Sequence, residues 1–156
     1  MKNSIIVLVV AALLILGFTV FKKDKELENT TEPENLAMLA GCYVSRTDND
    51  VYTLKIQKIE NNGAFSGTLE FDNFEKDSSS GTYDGFYKDG ILFGGYSFTS
   101  EGMDSQMDVI FKRMGNDFVR GYGELDETGT RFEDIDDVKY DASSTLSFFS
   151  KEECAA

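Results

Sequence analysis

Val51-Tyr52-Thr53-Leu54-Lys55-Ile56-Gln57, then Asn61-Asn62-Gly63, then Ala64-Phe65-Ser66-Gly67-Thr68-Leu69-Glu70-Phe71, decide the fold class. In the first run Tyr52, Leu54 and Ile56 share one face, and Thr53, Lys55 and Gln57 the other. In the last, Phe65, Gly67, Leu69 and Phe71 oppose Ser66, Thr68 and Glu70. A period of two is the signature of a half-buried strand, and Asn-Asn-Gly between two such runs tolerates the positive φ of a tight turn. The unit is a β-hairpin.

Working outward, the same grammar repeats. Lys88-Asp89-Gly90, Met114-Gly115-Asn116 and Glu127-Thr128-Gly129 are further turns. Met107, Val109 and Phe111 oppose Asp108 and Lys112, with Ile110 as an apolar exception. Nothing from Gly41 onward keeps helical spacing for three turns. Strands are expected near 42–46, 51–59, 64–71, 80–87, 91–99, 105–113, 117–125 and 130–133, with a ninth short piece at 137–140. Short loops join them into an antiparallel meander. The expected fold is all-β, a small barrel of about eight strands, because closure removes exposed edges. Strand glycines (Gly67, Gly85, Gly94, Gly95, Gly121, Gly123) suit the bends that closure demands. The expected inner face is Tyr52, Phe65, Phe71, Phe93, Phe111, Phe118 and Tyr122, with Gly67 and Gly95 leaving space among the rings.

Gly41-Cys42-Tyr43, Phe65-Ser66-Gly67-Thr68-Leu69, Gly81-Thr82-Tyr83-Asp84-Gly85 and Gly95-Tyr96 resemble the glycine-aromatic rhythm of calycin barrels such as avidins and lipocalins. That resemblance implies a barrel with a ligand at its mouth. The tryptophans that mark those families are missing, since the chain has none. Asn73 to Gly81 together with Tyr96 to Met103 is similar to short, single-anchor bacterial envelope proteins of unknown function, which implies a location and no activity.

Ahead of the barrel the composition changes twice. Residues 3–21 carry no charge, and their 19 residues span about 28 Å as a helix, enough for a bilayer core. Thr19-Val20-Phe21-Lys22-Lys23 offers no small-x-small cleavage site, so an uncleaved N-terminal transmembrane helix is expected, with residues 1–21 as anchor and 4–21 in the membrane. Leu39-Ala40-Gly41-Cys42 matches a lipobox, but lies about 20 residues beyond the apolar core that a lipobox should abut. Residues 22–40 hold the only proline, Pro33, and read as a charged spacer, with one helical turn near 34–39. Residues 41–156 form the barrel domain. The lysines at 22, 23 and 25 outnumber Lys2, which taken alone places the domain inside. The short N-terminal tail and the cysteines point the other way. The expectation is a single-pass protein, N-terminus inside and domain extracytoplasmic.

Two cysteines, Cys42 and Cys154, flank the domain. They read as a disulfide closing a loop of about 112 residues, worth roughly 4–5 kcal/mol in the chain-entropy account. Two unrelated thiols are the alternative.

Charge and composition exclude much. The chain carries 15 basic and 28 acidic residues, a net −13, so it should repel nucleic acid. With no histidine, the Ser-His-Asp triad and His-based metal sites are gone. Glu133-Asp134-Ile135-Asp136-Asp137 and Asp48-Asn49-Asp50 lack the spacing of a helix-loop-helix calcium loop and read as solvated acidic loops. Asp77-Ser78-Ser79-Ser80-Gly81 reads as a turn. Glu101, Glu124 and Asp126 lie near strand ends and are the best-placed acids for a carboxylate hydrolase. No catalytic residue, cofactor or metal is assigned.

Arg120 is the informative charge. It alternates with Phe118 and Tyr122 on the aromatic side of its strand. An interior arginine can take a ligand carboxylate bidentately, or more often pairs with an internal acid or caps the barrel end. The expected site is Arg120 with Tyr122 and Tyr52, at a modest opening smaller than a lipocalin cavity. The expected function is a tethered binding or envelope-interaction module, not an enzyme. Its partners would be the membrane and a small anionic ligand or an envelope protein. The alternatives are a structural surface domain without a ligand, or the hydrolase.

Overall fold

The computed structural model of the chain describes residues 35–100 and 102–154. The expected membrane helix over 3–21 lies outside the described residues, and among those described no helix is long and apolar enough to cross a membrane.

Among the described residues the strands are β1 (Gly41–Arg46), β2 (Val51–Ile59), β3 (Ala64–Asp72), β4 (Ser79–Lys88), β5 (Ile91–Ser100), β6 (Met103–Met114), β7 (Asp117–Tyr122), β8 (Lys139–Tyr140) and β9 (Phe148–Glu152). β1 to β7 run as an antiparallel meander. β9 then inserts between β7 and β1, pairing Phe118 with Phe149 and Val44 with Ser150, so eight strands close a barrel. The turn at Asp89 and Gly90 has positive φ at both residues (51° and 81°), the geometry whose twist matches a hairpin.

Three expectations need correction. The expected eighth strand at 130–133 does not close the barrel; it survives as a hairpin arm, with one bridge between Leu125 and Phe132, and β9 closes instead. β7 stops at Tyr122 rather than 125, and the expected piece at 137–140 shortens to β8, which annexes β7. In β5 the inward set is Leu92, Gly94, Tyr96 and Phe98, so Phe93 and Gly95 face outward. Phe93 sits beside exposed Phe86 and beside Ile110 on the outer wall. Ile91-Leu92-Phe93 followed by two glycines is ambiguous in parity, and a one-residue shift exchanges the faces.

The core fills the barrel. Tyr43, Leu54, Leu69, Tyr83, Leu92, Phe111, Phe118 and Phe149 are all fully enclosed. Their rings meet mostly edge to face, as between Tyr43 and Phe118 (4.8 Å) and between Phe111 and Phe149 (5.1 Å). A 3-10 helix at Leu36–Leu39, within the stretch expected to make one turn, packs Leu36 and Leu39 on this core. The Tyr43 hydroxyl donates to the Leu39 carbonyl (2.8 Å). This end of the barrel is therefore plugged. The loops at 47–50, 73–78 and 123–147 surround the opposite end, which we call the mouth. Ile110, the exception in the β6 alternation, is buried outside the barrel, where it meets Val138 and Tyr140 around Gly121.

Cys42 and Cys154 are bonded, with Cα atoms 5.2 Å apart. The bridge fastens the chain just beyond β9 to β1.

Candidate functional site

β7 carries the site because its even positions face inward. Phe118 is buried deep, Arg120 lies one step nearer the mouth, and Tyr122 reaches the rim with 45 % of its surface exposed. The Arg120 guanidinium lies over the Phe71 ring at 4.4 Å and the Tyr122 ring at 5.1 Å, both within cation–π range. Tyr52 closes the group. Its ring meets Phe71 edge to face at 5.0 Å and its hydroxyl donates to Asn73 Oδ1 (2.8 Å). The structure thus brings Arg120, Tyr122 and Tyr52 to one place, with Phe71 as the shared surface.

Hydrogen bonding singles out one atom of Arg120, its Nε. Tyr83 donates to the carbonyls of Val109 (2.9 Å) and Leu92 (3.2 Å), and Tyr96 donates to Ser79 Oγ (3.1 Å). Arg120 spends its backbone N–H on the Ser147 carbonyl (2.7 Å). Its Nε is sealed from solvent and has no partner, the single buried side-chain polar atom in that state among the described residues. Neither ion pair found among them, Arg46 with Glu152 and Lys58 with Glu60, involves Arg120. Burial lowers the Arg120 pKa from its usual value, while Tyr122, Tyr52 and Tyr83 act in the opposite direction, Tyr122 also through a side-chain hydrogen bond. A buried cation without a carboxylate is costly to keep, and an unsatisfied donor requires an explanation.

A cleft of about 70 Å³ opens onto Arg120, lined also by Met107, Val109, Gly121, Leu125 and Phe132. Larger hollows, of about 350 and 260 Å³, flank the solvent-exposed Arg46–Glu152 pair on the outer wall. Their charged side chains sit in water, so they present no comparable electrostatic deficit.

Of the acids considered for hydrolysis, Glu124 and Asp126 are described, and both belong to the 124–133 hairpin. Asp126 Oδ1 accepts from Thr128 Oγ1 (2.7 Å) and from the backbone N–H groups of Thr128 and Thr130, which shapes its turn. These bonds hold its pKa below the usual carboxylate range, the wrong direction for a general acid. Glu124 joins the same hairpin through its backbone, and Glu101 lies outside the described residues. Asp50 accepts from the Phe74 N–H (2.9 Å), and Asp134 from that of Asp136 (2.8 Å). Both acidic runs thus serve loop geometry. Among the described residues no three His, Cys, Asp or Glu side chains group as metal ligands.

Sequence reasoning found the cation but missed Leu125 and Phe132. Their signal was present, as the two apolar residues flanking the Asp126–Gly129 turn. No known protein family, curated protein or solved structure matches the chain.

Proposed function

We propose that this chain is a membrane-tethered, extracytoplasmic β-barrel module that binds a ligand through an anionic group presented to Arg120, and that it catalyses no reaction. The observation carrying this reading is the buried, unpartnered Nε of Arg120, a residue that helps line a cleft and whose guanidinium stacks on two aromatic rings. A preorganised guanidinium suits a planar anion, because its donors lie in a fixed fork. The uncharged stretch at 3–21 supports the tether. The Cys42–Cys154 bond supports the outside location, since disulfides persist in oxidising compartments.

Calorimetric titration of the detergent-extracted full chain with small anions tests the binding reading. Saturable heat is expected from the natural chain and none from Arg120→Met. A second reading, a ligand-free surface domain engaging other envelope proteins, draws on the filled core. Equal, absent heats from both proteins would favour it.

A further inference from the structure

The route to Arg120 is set by where the β6–β7 ladder ends. Its last pair is Phe111 with Arg120. Beyond it, toward the mouth, the Asp108 N–H donates to the Thr130 carbonyl (2.7 Å), so the 124–133 hairpin takes the place of β7 beside β6. Successive strand residues point to opposite faces. The cleft is lined by inward Met107, Val109 and Arg120 and also by outward Asp108 and Gly121. A hollow lined by residues of both parities, placed where the β6–β7 ladder ends, marks this point as the seam in the barrel wall.

Resting on the anion-site reading, we propose that this seam admits a short-chain monocarboxylate, which enters through the wall and sets its carboxylate against Arg120. Charge selects the class. One guanidinium offsets one negative charge, whereas a dianion such as sulfate would leave an excess negative charge in a cleft that already has the Asp108 carboxylate in its wall and no second cation. Size selects the length. About 70 Å³ equals roughly two waters at about 30 Å³ each, space for a carboxylate with one or two carbons. The lining suits a short aliphatic tail, since Met107, Val109, Leu125 and Phe132 are apolar and the polar side chains beside them are those of Asp108, Arg120 and Tyr122.

The test titrates the full chain in detergent with acetate, propionate and sulfate at constant ionic strength, followed by backbone amide NMR shifts. Acetate and propionate should bind at least tenfold more tightly than sulfate, with shifts centred on β6, β7 and the hairpin. Leu125→Trp, which fills the seam while leaving Arg120 in place, should weaken propionate at least tenfold. Arg120→Lys should keep the fold and lose most of the affinity, because it loses the bidentate fork. If sulfate matches acetate, the anion site stands and the monocarboxylate class is overturned. If Leu125→Trp binds propionate unchanged, the seam route is overturned. If none of the three anions produces shifts that Arg120→Lys diminishes, the underlying anion reading fails with it.

Discussion

Arg120 sets two energies against each other. Stacking over Phe71 and Tyr122 contributes up to about 2 kcal/mol when desolvated. Desolvating an unpaired cation costs several kcal/mol. The cost wins, so Arg120→Met, which keeps much of the side-chain volume, should raise unfolding stability by about 1–3 kcal/mol while removing anion binding. Denaturant titration of the two proteins without ligand checks this. A loss of stability would mean that the residue is kept for structure. Gly85 shows a different constraint. A Cβ there would run into the Phe93 carbonyl and the Gly94 Cα of the neighbouring strand, so the close approach of β4 and β5 requires the pair Gly85 and Gly94. Arg120 was legible in the sequence because its alternation with Phe118 and Tyr122 is unbroken. Phe93 was misread because three apolar residues in a row carry no parity.

At the scale of elements, β9 is the least expected and the most consequential. Every other barrel strand follows its partner through a short turn, which local turn chemistry reveals. β9 pairs with β1, about 100 residues earlier in the chain, and no turn announces such a partner. Its registers are short, reaching only Val44 with Ser150 on one side and Val119 with Phe148 on the other. The disulfide just beyond it supplies what the ladders lack. Replacing both Cys42 and Cys154 by serine should cost about 4–5 kcal/mol in the chain-entropy account, measured by thermal or denaturant unfolding. Native-state hydrogen exchange should then show β9 amides losing protection before those of β3, β4 and β5. Uniform exchange across all strands would show that β9 needs no staple.

For the whole molecule, the tyrosine-rich core makes stability depend on alkaline pH. Burial pushes the Tyr43 phenol up to about 12, with Asp117 adding to the shift, and burial also raises Tyr83 well above its usual value and Tyr96 above it. A raised phenol pKa favours the neutral folded form. Its stabilisation is complete below the unfolded value near 10 and is lost as pH rises through the folded value. The unfolding midpoint should thus hold steady through neutral pH and fall between about pH 10 and 12. Phenylalanine at 43 and 83 should flatten that fall.

In the proposed site the Arg120 guanidinium is held ready for an anion. Side-chain NMR of its Nε–H in the labelled full chain, assigned by its disappearance in Arg120→Met, tests this most directly. Without ligand the resonance should exchange slowly with water, because Nε is buried and unpartnered. On titration with acetate it should move downfield and saturate, as a charge-assisted hydrogen bond forms. A resonance that stays fixed while acetate is raised to saturating excess would contradict the account.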